Sequence, residues 1–525
     1  MSTRPAAAER FARSAAVTVN GSWLRTSDVH AWMAERARAH RFAVERIPFA
    51  ALDNWSFAGD TGNLRHHSGR FFTVEGLRVS VDSGPFRHWQ QPIIKQPEVG
   101  ILGILAKEFD GVAHFLMQAK MEPGNRNLLQ LSPTVQATHS NYTKVHRGAG
   151  VPYLDHFLRP APGSVAADVL QSEHGSWFFR KSNRNMIVFT RDEVPVGEDF
   201  CWLTLGQIGE LLHADNLVNM DARTVLSCVP PPGGTGTGSA DETDLLSWFT
   251  AERSRHRVQA ELCPLNAVAG WRSGPFEIEH ELGRYFRVVA VAVEAGSREV
   301  GGWTQPLIEP RGLGVTAFLT RCVDGVPQLL VHARVEGGFL DTVELSPTVQ
   351  CLPDNHAWLA PEDRPPFLDT VLRARPEQIR YEAIHSEEGG RFLNAESRYL
   401  LVEADDADVP EVLPPGYRWV TPALLSSLVR HGHYLNVQAR SLLCLLTTGA
   451  VTLERRSRPG GDNGAHASSA RSAHPQPHLS AAPVAAEPQA AHPLRDHRSS
   501  DGSAGAGVQL PVREPVGPAL RLPAR

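Results

Sequence analysis

The chain of 525 residues is too long for a single hydrophobic core, and its 42% hydrophobic and 21% charged residues suit folded globular domains. A formal net charge of −5 argues against a surface built to coat nucleic acid or an anionic membrane, and no apolar run approaches the ~20 residues that span a bilayer. Six scattered cysteines without a Cys-x-x-Cys pair fit neither a disulfide scaffold nor a zinc site, and predict reduced thiols in a cytoplasm.

The N-terminal run "MSTRPAAAERFARSAAV" carries Glu9 and no apolar core, which predicts no signal peptide. "TSDVHAWMAERARAHR" (26–41) predicts a capped amphipathic helix. β runs follow at 70–81, 100–109, 112–122 and 128–138, with Asp110-Gly111 as a hairpin signal between the second and third. Helical segments at 204–214 and 219–229 come next, with threonine and asparagine starts expected to be N-caps. "PPPGGTGTGSADET" (230–243) predicts a flexible linker. The order then repeats over 244–450, and from 451 to 525 the Ala, Pro, His, Ser, Gly and Arg composition predicts a disordered tail.

The repetition is literal. "LSPTVQ" stands at 131–136 and again 214 positions on, at 345–350. At the same offset His66, Gly69 and Arg70 match His280, Gly283 and Arg284. Trp89, Gln91 and Pro92 match Trp303, Gln305 and Pro306, and Glu122 matches Glu336. At offset 217, Trp202, Asn219 and Arg223 match Trp419, Asn436 and Arg440. Two copies make a tandem domain duplication, over 10–229 and 244–450, not a solenoid. Mixed sheet flanked by helices makes each copy α+β.

The two-residue period of a strand sorts the candidate site residues. One face of 112–122 carries His114, Gln118, Lys120 and Glu122, and its counterpart in the second copy carries Gln328, His332, Arg334 and Glu336. The next strand adds Ser132, Thr134 and Gln136, repeated as Ser346, Thr348 and Gln350, with Leu131 and Val135 expected to face the core. Such rows could floor a pocket; a solvated sheet face would need only alternation. Trp89 and Trp303 could stack on a ring or simply pack. Arg184, Arg398, Arg223 and Arg440 could clamp a phosphate or pair with a local carboxylate. Asn219 and Arg223 lie four apart at a helix start, where backbone amides favour anions. Tyr142, in "SNYTKVH", is a candidate acid or base. No P-loop, dinucleotide fingerprint, His-Glu-x-x-His or Gly-x-Ser-x-Gly occurs, so neither a nucleotide redox cofactor nor a metal is expected.

The block "HWQQPIIKQPEVGILGILAKEFDGVAHFLMQAKMEPGN", followed by "LQLSPTVQATHSNYTKVH", resembles the nucleotide-diphosphate-hexose 2,3-dehydratases of deoxysugar biosynthesis. The likeness covers nearly all of 10–450, tandem repeat included. It implies a Nudix-like fold for each half, used without hydrolysis, a cytoplasmic homodimer, and no cofactor. Neither copy contains the Arg-Glu-x-x-Glu-Glu metal cluster of a true Nudix hydrolase. The implied substrate is dTDP-4-keto-6-deoxy-D-glucose, which loses water across carbons 2 and 3. The enol so formed rearranges to a 3,4-diketo-2,6-dideoxy sugar, and a separate NADPH-dependent 3-ketoreductase takes it up. No nucleic acid or membrane partner is implied.

Such a reaction needs a base for the carbon-3 proton, a cation or donor for the oxyanion and an acid for the leaving hydroxyl. From the polar rows, Glu122 or Tyr142 is the expected proton-transfer group and Lys120 the oxyanion partner. Ser132, Thr134, Gln136, Asn141 and Gln118 would hold sugar hydroxyls or phosphate. His332, Arg334 and Glu336 form the rival set. A non-catalytic sugar-nucleotide binding protein is the alternative; a pyrophosphohydrolase lacks its metal box.

Overall fold

Local chemistry sets the elements. Asp110-Gly111 and Asp324-Gly325 both adopt positive φ (50° and 77°, 50° and 80°), which closes the tight hairpins Gly100–Phe109/Val112–Met121 and Gly314–Val323/Val326–Val335. Thr204 accepts from Gln207 N in a full capping box at the start of helix Leu205–Leu211, and Asn219 Oδ1 caps Met220–Leu226 through Ala222 N at 2.8 Å. The second copy repeats both caps with Thr421 and Asn436. The predicted helix over 26–41 is a 3-10 turn, Thr26–Asp28, leading into Val29–Ala39, and Asp28 makes no side-chain cap.

The structure is a computed structural model that describes residues 4–82, 84, 86–138, 150–230, 239–296, 300–405 and 407–453. Positions 231–238 of the expected linker and most of the expected tail lie outside the described residues. The linker ends sooner than predicted, because Ser239–Arg255 is a helix that buries Leu245 and Phe249 in the core. No described helix is long and apolar enough to cross a membrane.

Each copy builds a seven-stranded mixed sheet. In the first, Val165–Ser172, Ser182–Phe189, Gly100–Phe109, Val112–Met121 and Phe200–Leu203 lie in that order, with Ser182–Phe189 parallel to Gly100–Phe109 and the other pairs antiparallel. The second sheet repeats the order with Ile379–Ser386, Glu396–Glu403, Gly314–Val323, Val326–Val335 and Tyr417–Val420.

The repeated hexapeptide has a definite place in these sheets. Gly100–Phe109 and Val112–Met121 pair only from Leu105↔Leu116 to the hairpin, then splay. Leu129–Ser132 fills the gap against Val112–Met121, and Val135–Ala137 fills it against Gly100–Phe109. Where the segment changes partner, Pro133 needs no N–H bond, and Thr134 Oγ1 accepts from Leu105 N (2.9 Å) and donates to Leu116 O (2.5 Å). Thr348 joins Leu319 N and Leu330 O at the same two distances. Leu131 and Val135 face the core as expected, but this change of partner puts them in two different core clusters, and it buries Ser132 and Thr134 as well instead of leaving them on an open polar face.

The copies also exchange strands. Phe42–Ile47 of the first pairs with Phe286–Ala295 of the second, and Val258–Cys263 of the second pairs with Thr73–Val81 of the first. The mostly buried Phe286–Ala295 thereby gains neighbours on both edges, the other being Gly302–Pro310. The largest core cluster runs without a break through both copies, from Phe115 and Leu131 to Val331 and Leu345. Two turns seal the junction. Gly124 N donates to Gly389 O (2.7 Å) and Gly338 N to Gly175 O (2.8 Å). A Cβ at either donor glycine would collide with a carbonyl oxygen of the opposite copy.

Candidate active site

The turn contacts decide which residues meet. Strand Val112–Met121 delivers Lys120 and ends at Glu122, beside the capped start of helix Met220–Leu226. Glu122 Oε1 accepts from Gln136 Nε2 at 2.5 Å, and Glu122 Oε2 lies 3.4 Å from Asn219 Nδ2. Lys120 Nζ donates to Gln136 O at 3.1 Å. The second copy's turn docks on the residues that follow, Gly124 and Asn125, and so brings Glu388 to this end of the sheet.

Burial, reinforced by the charges of Glu122 and Glu173 against that of Arg391, pushes the Glu388 carboxyl up to about 7. Asp221, in the first turn of the capped helix, is driven well above the usual carboxyl range by burial and then by Glu122, Glu173 and Glu388. Both keep a buried carboxyl oxygen without a hydrogen-bond partner, Asp221 Oδ1 and Glu388 Oε2. Buried carboxyls whose proton affinity is raised, with Lys120 near Asp221, suit proton transfer. Among the described residues no three His, Cys, Asp or Glu side chains are placed to hold a metal ion.

The second copy makes the corresponding end differently. Glu336 Oε1 accepts from Gln350 Nε2 (3.2 Å) and from Arg334 Nε (2.7 Å), and Asn436 Nδ2 donates to Gln350 Oε1 (2.7 Å). Arg334, Glu336 and Gln350 border a cavity of about 1340 Å³, which the first copy's exchanged sheet also walls through Leu77, Val79 and Trp89. His332 stacks flat on Tyr417, ring centres 4.3 Å apart, and burial with Arg334 behind it lowers its pKa to about 3. His356 is lowered to about 4 by the same two causes in the same order. In place of Glu388 the first copy presents His174, Nε2 2.8 Å from Glu387 Oε2. Burial opposes its charge, but the Glu387 hydrogen bond and the surrounding carboxylates outweigh burial and raise its pKa.

Of the predicted residues, Lys120, Glu122, Gln136 and Asn219 converge in the first copy. His332, Arg334, Glu336, Thr348 and Gln350 line the second-copy cavity, joined by Trp89 from across the duplication. Trp89 Nε1 donates to Gln91 Oε1 and Trp303 Nε1 to Gln305 Oε1, so each tryptophan is oriented by its own strand. The hydroxyls of Ser132, Thr134, Ser346 and Thr348 bond backbone groups. Gln118 sits half-buried between Ser132 and Phe200 in the sheet. Asn141 and Tyr142 lie outside the described residues.

The four arginines all bond groups of the protein itself, two of them at the surface. Arg184 forks Asp168 (2.7 and 2.5 Å) and Arg398 reaches Glu382 (2.9 and 2.7 Å), each pairing with a carboxylate on the neighbouring edge strand. Arg223 and Arg440 are buried and cross between copies. Arg223 bonds Val218 O and Ser386 O (2.7 and 2.8 Å), and Arg440 bonds Leu435 O and Ser172 O (both 2.5 Å). Sequence reasoning missed Asp221, Glu388 and His174. Identity between the copies was the search signal, and these positions differ: Asp221 aligns with Gln438, and Glu388 with His174. A scan for aligned positions that exchange titratable for other side chains would have found them.

Known proteins resemble this chain over most of its length. A family model described as NDP-hexose 2,3-dehydratase matches twice, over residues 26–229 and 242–446. A dTDP-4-dehydro-6-deoxy-alpha-D-glucopyranose 2,3-dehydratase from Amycolatopsis orientalis is 62% identical over 449 residues, covering 85% of this chain and 94% of the relative. Proteins of the same name from Saccharopolyspora spinosa and Streptomyces violaceoruber are 50% and 52% identical, covering 83% and 81% of this chain and 94% and 97% of the relatives.

Proposed function

The chain belongs to the NDP-hexose 2,3-dehydratase family, and we infer from that membership that it eliminates water across carbons 2 and 3 of dTDP-4-keto-6-deoxy-D-glucose. The chemistry is assigned to the first-copy site. The observation that carries this is the company Glu122 keeps: an ammonium on the same strand, and carboxyls at Asp221 and Glu388 whose proton affinity is raised.

The 4-ketone acidifies the carbon-3 proton. Glu122, oriented by Gln136 and Asn219, takes that proton, and Lys120 stabilises the enolate oxygen that develops. Expulsion of the carbon-2 hydroxyl restores the ketone and leaves an enol at carbon 3. Its tautomer is dTDP-3,4-diketo-2,6-dideoxy-D-glucose, a reactive diketone suited to immediate reduction by an NADPH-dependent 3-ketoreductase. Each copy is read as a Nudix-like unit, a reading supported by the single parallel strand pair within an otherwise antiparallel sheet and by the flanking helices.

The second-copy cavity favours binding over chemistry. Glu336 is held in an ion pair with Arg334, and His332 is neutral, while arginine and Trp89 offer a phosphate partner and a stacking face. Its volume, above the roughly 300–1,000 Å³ of ordinary ligand pockets, keeps a second reading in play, with Arg334 and Glu336 as the catalytic pair.

Incubation with dTDP-4-keto-6-deoxy-D-glucose, a 3-ketoreductase and NADPH tests the function through protein-dependent NADPH consumption. Binding without turnover would favour the non-catalytic alternative. Loss of turnover in Glu336→Gln but not in Glu122→Gln would move the chemistry to the second copy.

A further inference from the structure

The elimination also needs an acid for the departing hydroxyl, a role that neither Glu122 as base nor Lys120 as oxyanion partner fills. The strand exchange and the turn contacts point to a source outside the first copy. The turn after Ser386 is pinned to the first copy by Gly124 N to Gly389 O and by Asn394 N to Gly124 O, both 2.7 Å. Asn125, next to that pin, packs under Gly389 and reaches Glu122 Oε2 at 3.5 Å. Glu388 therefore enters the first-copy site on a rigid support. Gly390 N donates to its Oε1 at 3.2 Å, while its Oε2 is buried without a partner.

We propose that Glu388, contributed by the second copy, is the catalytic acid that protonates the leaving carbon-2 hydroxyl in the first-copy site. The inference rests on the assignment of the chemistry to that site. The carbon-3 proton passes to Glu122, and its electron pair becomes the enolate. The enolate electrons then form the carbon 2–carbon 3 double bond as the carbon 2–oxygen bond breaks. The leaving oxygen takes its proton from Glu388 and departs as water, so Glu122 ends protonated and Glu388 ionised. No oxidant or cofactor enters the balance.

The geometry also accounts for the state of the acid before reaction. Glu388 lies within electrostatic reach of Glu122, Glu173 and Asp221, and like charges at close quarters favour a protonated carboxyl. Burial favours the same outcome for Glu388. The duplication alone would not have supplied this group, since His174 stands at the equivalent position over the second copy.

The test separates the two proton transfers. In deuterium oxide, exchange at carbon 3 of the substrate reports the Glu122 step, while water loss reports both. Glu388→Gln is expected to lower dehydration by about 10²–10⁴-fold and to leave carbon-3 exchange within about fivefold of wild type. The 2-deoxy-2-fluoro substrate analogue, whose fluoride departs without a proton, should still eliminate in this variant. Should the amide lower the melting temperature, Glu388→Asp restores a carboxyl and is expected to recover dehydration about tenfold over the glutamine variant. Dehydration unchanged in Glu388→Gln would overturn the proposal. So would equal loss of exchange, dehydration and fluoride release in a folded variant, which would make Glu388 a positioning residue. Glu122→Gln retaining carbon-3 exchange would instead sink the base assignment, a different failure.

Discussion

Arg223→Met is the sharpest test of whether the arginines repeated in both copies serve phosphate or fold. Arg223 is fully buried, donates to Val218 O and Ser386 O, and lies with its guanidinium carbon 5.2 Å from the Tyr399 ring centre. Methionine keeps much of the volume and removes both donors, leaving a carbonyl from each copy buried and unpaired. Hydrogen bonds from a charged donor contribute about 1.5–3 kcal/mol each, partly offset because the guanidinium no longer has to be desolvated, so a loss of about 3–5 kcal/mol is expected. With a urea slope on the order of 3 kcal/mol per M for a unit of this size, the unfolding midpoint should fall by roughly 1 M. Equilibrium urea unfolding followed by tryptophan fluorescence reads the shift, and steady-state kinetics reads KM on the folded fraction. An unchanged midpoint with KM raised tenfold or more would place Arg223 on substrate phosphate and refute the reasoning.

Thr134→Val and Thr348→Val keep shape but strand one N–H and one carbonyl each; a loss of about 2–4 kcal/mol is expected in denaturant titration, with KM unchanged. Raised KM at wild-type stability would make these hydroxyls ligands. If Glu388 must be protonated to act, kcat should fall as pH rises through about 7, and that limb should vanish in Glu388→Gln. The same raised pKa makes its contribution to stability complete below the ordinary 4.5 and lost as pH rises through about 7, measurable by unfolding across that range. Trp89→Ala should weaken dTDP binding to the second-copy cavity by about 1–3 kcal/mol in calorimetry, the worth of one stacked base. Gly124→Ala should destabilise by about 3 kcal/mol, as overpacking against a backbone carbonyl demands, in a thermal or urea melt.

Much of this protein is legible in its sequence because the causes are short-range. Positive φ at Asp110-Gly111, the capping threonines and asparagines and the alternation along 112–122 each depend on neighbours a few residues away. The duplication is visible because two copies of one fold keep the same local solutions. The row Lys120–Glu122, to which the chemistry is proposed to belong, follows from the same rule, since period-2 projection needs no knowledge of what lies opposite.

Other features depend on contacts between residues far apart in the chain. "LSPTVQ" reads as a polar face, yet its threonine is a brace whose partners exist only because two strands splay. Arg223 reads as an anion ligand, yet its second acceptor lies 163 residues on, in the other copy. Glu388 has no motif at all; it becomes a candidate because a glycine turn docks it beside Glu122. Sequence by itself thus determined the duplication, the element order and one strand of the site. Only the tertiary structure decided which copy's residues meet, because exchanged strands and cross-copy carbonyl contacts set burial, and burial sets which carboxyls hold a proton.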